Sequence, residues 1–314
     1  MQAAVYRSYG APSVIALEEL ETPQPKPGEC LVKVAGAGLN PVDAKLRSGS
    51  LEGLFPLTFP VIPGWDVSGT VDAVGSDADA QWLGKSVFAY VRFDGVGLNG
   101  SAAQYCIVPT SFLAQVPASI DLADSASVPL AALTAYQSLV EEAAVKAGDS
   151  VLILAGGGAV GHWAIQIAAS VGAHIVTTAS PRHHEALKEK GARDCVNYRE
   201  ADWPDQAKAL MPEGYDVILD GVGAETLEAA YPLLKAGGCI VGLNDVPDPE
   251  KVPAGSKAVR LFSRPEGTQL AQISTWIDEG SMALDTVEVL PLSAAAEGHA
   301  ALDKGSPHKI VLAP

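Results

Sequence analysis

The sequence predicts an α/β fold: a doubly wound parallel sheet joined to a second part rich in β-strands. Three observations lead there. From about residue 121 to residue 263, short apolar runs alternate with helical stretches, the pattern of strands linked by crossover helices. Residues 3–108 instead read as several short strands separated by turn residues, at the spacing of a sandwich or barrel. One apolar run, Val151 to Leu154, ends in a glycine cluster and is followed by a helical stretch, which marks the ligand-binding edge of a doubly wound sheet.

Taken in order, strands are expected over 3–6, 30–37, 67–74, 85–91 and 103–108. The segment 21–28 holds three prolines and reads as a turn or linker. The segment 92–101 holds three glycines and reads as a loop. A helix is expected over 121–145, with Asp121 as its cap. Six strands then follow at 151–154, 174–178, 195–197, 216–220, 239–243 and 258–262, with a helix at 162–171. Gly172 and Gly191 stand just past their helices, where left-handed stop residues belong. After residue 263 come a helix at 268–279, strand-like pieces at 286–289 and 309–312, and a short helix at 294–302. This tail does not prolong the parallel series, so it is expected to return to the first part. The expected domains are 1–122 and 123–263, with 264–314 completing the first.

The chain has 314 residues, enough for two domains, and 48% are hydrophobic, enough for a large core. Lys and Arg number 21 against 37 Asp and Glu, a net charge of −16. That excess argues against broad affinity for nucleic acid or an anionic membrane surface. The four cysteines lie far apart and form no Cys-x-x-Cys pair, which suggests reduced thiols in a cytoplasmic chain. No signal peptide is visible near Met1. The apolar stretch 151–178 is interrupted by glycines, His162, Gln166 and His174, so it reads as strand–helix–strand and not as a membrane span.

Gly156, Gly158 and Gly161 have the Gly-x-Gly-x-x-Gly spacing of a dinucleotide-binding turn. A tight turn off the strand, a close backbone approach to pyrophosphate and a close helix–strand contact each require a missing Cβ. Anions then meet the unpaired N–H groups of the helix start. The end of the second strand separates NAD from NADP, because a carboxylate there bonds the ribose 2′-hydroxyl and repels a 2′-phosphate. Here the segment is Thr-Thr-Ala-Ser-Pro-Arg-His-His, with no acid before Glu185. Ser180 can donate a hydrogen bond and Arg182 can grip a phosphate, which favours NADPH. Ser180 can equally cap the next helix with Pro181 at its first position, and Arg182 can be a surface residue. His183 and His184 read as exposed helix residues. Tyr198, after the third strand, is placed to stack on adenine or reach the phosphate, or else to pack half-buried.

Several stretches together resemble the medium-chain dehydrogenase/reductase superfamily, and among its members the zinc-independent quinone oxidoreductase branch. They are Asn40-Pro41-Val42-Asp43, the run from Gly64-Trp65-Asp66 to Gly75, the glycine loop 155–161, Lys190-Gly191-Ala192-Arg193-Asp194, Asn197-Tyr198-Arg199-Glu200 and the closing Lys309-Ile310-Val311-Leu312. The resemblance spans essentially the whole chain. It implies a GroES-like catalytic domain split across both chain ends and a Rossmann domain holding NADPH. Zinc-dependent relatives carry Cys near position 40 and Gly-His-Glu where this chain has Gly64-Trp65-Asp66. Asn40 and Trp65 cannot replace those ligands, so no metal is expected. By the same resemblance Gly158, Ala159 and Val160 line the pyrophosphate and nicotinamide ribose, while Asn40 and Thr134 flank the nicotinamide. Thr134 has a second reading, a helix hydroxyl bonded to the preceding turn. Gly221 and Val222 follow the fourth strand, and Gly242 and Leu243 end the fifth, all at strand ends that open onto the ligand crevice. Phe262 is either a carboxamide contact or a core aromatic. Asp43 and Asp66 read as structural acceptors, and Lys45 and Arg47 as solvated surface or a substrate-side cation.

The expected function is NADPH-dependent reduction of quinones or conjugated enones by direct hydride transfer, acting on a small electrophile; a homodimer is what the resemblance implies. Many quinone-reductase relatives have a tyrosine shortly after the Arg-Ser-Gly at 47–49, and this chain has none there. A nucleotide-binding sensor or structural protein with little activity is therefore the alternative.

Overall fold

The computed structural model describes residues 1–92 and 99–314. The chain forms two compact units, one of Met1–Leu130 with Arg264–Pro314 and the other of Ala131–Ser263. The expected first boundary, after residue 122, precedes the observed one at Leu130.

In chain order the first unit opens with β1 (Gln2–Val5), β2 (Ala16–Glu19), β3 (Glu29–Gly38), α1 (Pro41–Ser48), β4 (Asp66–Val74), β5 (Ser86–Tyr90), β6 (Tyr105–Pro109) and β7 (Ala114–Gln115). Helix α2 (Pro129–Tyr136) begins at its end. The second unit continues with β8 (Ser150–Leu154), α3 (Ala159–Ser170), β9 (His174–Thr178), α4 (His184–Glu189), β10 (Asp194–Val196), α5 (Trp203–Leu210), β11 (Tyr215–Asp220), α6 (Ala224–Ala230), β12 (Leu234–Gly242) and β13 (Lys257–Arg260). The chain then returns to the first unit with α7 (Gly267–Asp278), β14 (Val287–Pro291), α8 (Ala295–Asp303) and β15 (Lys309–Ala313).

The second unit is a six-stranded sheet in the order β10-β9-β8-β11-β12-β13, every pairing parallel. Order reverses beside β8, where a doubly wound sheet opens its ligand crevice. Every residue of β8 is buried, as expected for a strand covered on both faces by helices. Leu152, Ile218 and Ile240 stack across three neighbouring strands, and Trp203, Tyr215 and Leu227 pack on them. Tyr215 directs its hydroxyl to the Ala207 carbonyl at 2.8 Å, so even this buried phenol is satisfied.

The first unit is organised by β3, which pairs with β4, β6 and β15. Its N-terminal half runs against β6, and its last two residues run against β15. Two register shifts against β4 bend it between those partners. Gly36 and Gly38 admit the turn Asp124–Ser127 onto the sheet: a Cβ on Gly38 would lie 2.1 Å from the Ala126 carbonyl oxygen. Among the described residues the first strand of the return, β14, pairs with β15 alone, so the chain's last strand is what ties the tail to β3.

Four differences from the sequence expectation have identifiable causes. The single helix expected over 121–145 is a short turn at Asp124–Ser127, then α2, then a wider helical turn at Gln137–Glu142. Pro129 has no N–H to continue a preceding helix, but it fits the first position of a new one. Helix α3 starts at Ala159, not at 162, directly from the glycine loop. Strand β12 starts at Leu234, where Gly237 and Gly238 interrupt the apolar pattern that signals a strand. Strand β2 went unforeseen because Ala-Leu-Glu-Glu shows no alternation. The expected loop over 92–101 falls largely on residues 93–98, outside the described residues.

The central position of Ile218, fully buried between β8 and β12, sets an expectation for stability. Ile218→Ala should lower the unfolding free energy by about 2–5 kcal/mol and Ile218→Val by about 0.5–1.5 kcal/mol, read from urea denaturation midpoints.

Candidate functional site

The glycine loop joins β8 to α3, and its three glycines do different work. The left-handed residue of the turn is Ala155, with φ 66°, and none of the three glycines. Gly156 serves close packing instead: a Cβ there would meet the Thr177 hydroxyl oxygen at 2.1 Å. Thr178 stabilises the turn by accepting from Ala155 N through its hydroxyl, at 3.0 Å, and from Gly156 N through its carbonyl, at 2.9 Å. Gly161 lets the first turn of α3 press on the strand end, since its Cβ would lie 2.3 Å from the Ala155 carbonyl oxygen. Gly158 is the N-cap, and the nearest atom to its missing Cβ is the Ala155 carbonyl oxygen at 3.3 Å. It has no side chain with which to cap the helix. The first-turn N–H groups of Ala159 and Val160 are therefore left for an external acceptor, in the positive field of the helix start.

A cavity of about 390 Å³ opens beside this loop, with Gly157 and Gly158 in its wall. Its far side is formed by the ends of β9, β10 and β11: Ser180 and Arg182, Tyr198, and Val222. Ser180 caps the turn Pro181–His183 by its backbone position, with Pro181 first, but its side chain makes no capping hydrogen bond. Arg182 is exposed and directs Nε to His183 Nε2 at 3.0 Å. The other guanidinium nitrogens still have donors to offer a ligand. Tyr198 is 50% exposed in the cavity wall, with the Arg199 guanidinium 5.7 Å from its ring centroid. His183 was expected to be a plain exposed residue, yet its ring lines the cavity and lies against Gly157, 3.1 Å from where a Cβ would be. Among the described residues, no carboxylate stands in the cavity wall.

The remaining expected residues of this unit lie outside that cavity wall. Gly221 follows β11, with the Leu154 carbonyl oxygen 3.3 Å from its absent Cβ. Gly242 is packed beneath Asp245 and Pro247, whose atoms lie 2.5–2.9 Å from its missing Cβ. Leu243 donates its N–H to the Asp220 carbonyl at 2.9 Å. Phe262 is 44% exposed, so it is not a core aromatic, and the Arg260 guanidinium sits 5.1 Å from its ring centroid. Thr134 is buried in α2 and donates its hydroxyl to Ser263 Oγ at 2.9 Å. One turn further on, Ser138 donates its hydroxyl to the Thr134 carbonyl at 2.7 Å.

The first unit carries a polar cluster at the end of β3. Asn40 is 1% exposed and caps α1. Its Nδ2 donates to Asp66 Oδ2 at 2.8 Å and to the Gly38 carbonyl at 3.3 Å, while its Oδ1 accepts from Lys309 Nζ. The amide orientation is fixed by chemistry, because a lysine only donates and a carboxylate only accepts. Lys309 Nζ also reaches Asp66 Oδ2 at 3.2 Å. Strand pairing explains the meeting: Asp66 opposes Gly38 across β3 and β4, and Leu39 N donates to the Ile310 carbonyl, which brings the start of β15 beside Asn40. Asp66 is fully buried and also accepts from Leu130 N at 2.7 Å. Burial pushes its carboxyl up, while the Lys309 ammonium and these N–H donors pull it down. Asp43 accepts from Asn40 N at 2.8 Å and from Gly64 N at 3.1 Å. Burial, reinforced by Asp66, pushes its carboxyl up to about 7 against those two N–H donors. Arg47 is neither surface nor a substrate-side cation; it is buried and paired with Asp303 at 2.7 Å.

The donor set of this cluster does not fit zinc. A catalytic zinc needs three thiolate, imidazole or carboxylate ligands. Asn40 and the buried indole of Trp65 offer none, and Asp66 is already engaged by an ammonium. Among the described residues no group of three His, Cys, Asp or Glu side chains is placed to hold a metal ion. Lys309 was not expected in this cluster. Its place in the closing Lys-Ile-Val-Leu was noted, but only the pairing of β15 with β3 shows what it reaches.

Two outcomes follow from these geometries. Gly161→Ala, which needs the backbone to shift away from the Ala155 carbonyl, should cost about 1–3 kcal/mol in urea denaturation. Asp43 titrates higher in the folded chain than its ordinary 3.8. Its contribution to stability is present below about pH 4 and lost as pH rises through about 7. The stability of wild type relative to Asp43→Asn should therefore fall across that window, as read from urea midpoints at pH 4, 5, 6, 7 and 8.

Comparison with known proteins agrees with both units. Residues 26–118 match the family described as alcohol dehydrogenase GroES-like domain, and residues 159–262 match the family described as zinc-binding dehydrogenase. An NADPH-dependent alkenal/one oxidoreductase of Arabidopsis thaliana chloroplasts is 33% identical over 324 residues, covering 100% of this chain and 80% of that protein. The solved quinone oxidoreductase from Coxiella burnetii is 31% identical with a TM-score of 0.87, covering 100% of this chain and 99% of that one. A mycobacterial protein solved complexed with NADPH is 28% identical with a TM-score of 0.85, covering 100% of both chains. This chain belongs to the medium-chain dehydrogenase/reductase superfamily, among the relatives of quinone oxidoreductases and alkenal/one reductases.

Proposed function

We propose that this protein is an NADPH-dependent reductase of quinones or of conjugated enones and enals, working by direct hydride transfer without zinc. The observation that carries the reading is the cavity in the second unit. It joins an uncapped helix start and a glycine wall to Ser180 and Arg182, with no carboxylate among the described residues to repel a 2′-phosphate. The names of the relatives support the same cofactor and the same class of electron-poor substrate.

When bound, NADPH supplies a hydride equivalent from its reduced nicotinamide. The chain's own residues bind and orient it. Ala159 and Val160 offer N–H groups to the pyrophosphate, and the missing side chain of Gly158 leaves room for it. Gly156 and Gly161 hold that loop close to the sheet. Ser180 and Arg182 hold the 2′-phosphate, with Arg182 presenting the donors that His183 leaves free. Tyr198 offers its exposed ring to the adenine. Gly221, Val222, Gly242, Leu243 and Phe262 belong to the nicotinamide side of the same binding surface, and Thr134 orients the nicotinamide.

The reading extends to a cytoplasmic homodimer. All four cysteines are free, which suits a reducing compartment. Strand β13 ends the six-stranded sheet and offers one row of backbone groups for pairing with a second copy. No described helix is long and apolar enough to cross a membrane.

The direct test follows NADPH consumption with a panel of quinones, enones and enals. Turnover on at least one class is expected. Tight NADPH binding without turnover on any would instead favour a nucleotide-binding protein of little activity. Arg182→Ala should raise the KM for NADPH by roughly 10- to 100-fold, the worth of a charge-assisted hydrogen bond, and leave that for NADH nearly unchanged. Sedimentation at micromolar concentration checks the dimer.

A further inference from the structure

We propose that His183 is a positioning residue for the 2′-phosphate of NADPH: its neutral imidazole, seated on Gly157, holds the Arg182 guanidinium at the cavity wall and so sets how strongly NADPH is preferred over NADH. The proposal rests on the cofactor reading above. It adds a residue that governs the choice of cofactor and makes that choice depend on pH.

His183 and Arg182 both line the cavity of the second unit, beside Gly157 and Ser180. Arg182 Nε lies 3.0 Å from His183 Nε2. A guanidinium only donates, so the imidazole nitrogen that meets it accepts. His183 is therefore neutral in this pair, with its proton on Nδ1. The bond uses Nε and leaves both terminal nitrogens of Arg182, which together can grip a phosphate. An exposed arginine loses rotamer freedom when it binds an anion. One that is already held loses less.

Gly157 shows how the ring itself is held. It is not one of the three glycines of the Gly-x-Gly-x-x-Gly spacing, and its φ is not positive. Neither the fingerprint nor the backbone requires a glycine there. A Cβ on Gly157 would lie 3.1, 3.3 and 3.6 Å from Cδ2, Cγ and Nε2 of His183. The absent side chain makes room for the imidazole, which rests on the pyrophosphate turn and reaches Arg182 from it.

The pair is sensitive to protons. Among the described residues, the titratable groups of the cavity wall are Arg182, His183 and Tyr198. Arg199 lies against the Tyr198 ring. From α4, His184 Nε2 meets the Ala179 carbonyl at 3.0 Å, and Glu185 pairs with Lys188 at 3.5 Å. Residues 155–161 of the glycine loop are Ala, Gly and Val. A proton on His183 Nε2 ends the bond and sets two cations side by side. Histidine ordinarily takes that proton near about pH 6.5, so discrimination by the phosphate should weaken as pH falls from 8 to 6.

The test uses 2′,5′-adenosine bisphosphate and 5′-AMP, which differ in the 2′-phosphate alone. Calorimetry gives both dissociation constants without turnover, and their ratio measures what the 2′-phosphate contributes. His183→Ala should lower the ratio about 3- to 10-fold, the worth of one hydrogen bond. His183→Gln places an amide oxygen near the position of Nε2 and should restore most of it. Gly157→Ala should lower the ratio in wild type and leave it unchanged in His183→Ala, because the crowding acts through the ring. Between pH 8 and pH 6 the wild-type ratio should fall more steeply than that of His183→Gln, in which the phosphate titrates without the imidazole. Circular dichroism checks that each variant is folded. A ratio for His183→Ala within about twofold of wild type would overturn the proposal and leave the cofactor reading intact. So would a wild-type ratio that rises toward pH 6 relative to His183→Gln, because the imidazolium would then grip the phosphate itself. Equal binding of the two nucleotides by wild type would overturn the proposal together with the NADPH assignment. The expected ratios without turnover on any quinone or enone would sink the reductase reading and leave His183 in its role.

Discussion

The second unit depends on how closely the start of α3 approaches the end of β8. Only a residue without a side chain fits at Gly161, because the Ala155 carbonyl oxygen occupies the place of a Cβ. That contact aims the first turn of the helix outward from the strand end. The same turn then carries Gly158 as a cap with no side chain, so the helix start stays open. Packing and ligand chemistry are set by one constraint, and neither could be changed without the other.

The first unit faces a different problem, a fully buried carboxylate at the start of β4. Burying Asp66 is costly unless its oxygens are satisfied and its charge is balanced. Leu130, Asn40 and Lys309 do both. The balancing charge comes from the last strand of the chain, some 243 residues away in sequence. This gives the returning tail a chemical role as well as a structural one: β15 closes the sheet on β3 and delivers an ammonium to the cluster.

Much of this was legible in the chain itself. The parallel sheet could be read because each of its strands is a short apolar run, and the glycine spacing singled out the turn after β8. The place of Ser180 and Arg182 in the cavity wall could be expected from position, since the residues just after the second strand of such a sheet stand at its open edge. Errors arose where local pattern and local geometry diverge. The helix over 121–145 was drawn through Pro129. Arg47 was read as surface although Asp303, on a helix far along the chain, pairs with it in a buried site.

By itself, the sequence determined the fold class, the glycine turn, and the lack of zinc ligands at Asn40 and Trp65. These are local properties, written in periodicity and in the chemistry of single side chains. Tertiary structure alone decided which polar groups meet. The pairing of β15 with β3 sets Lys309 against Asn40 and Asp66, and the fold of the glycine loop sets His183 against Gly157. Such meetings depend on strand register between distant segments, and register is fixed by the packing of the whole unit and not by any stretch within it.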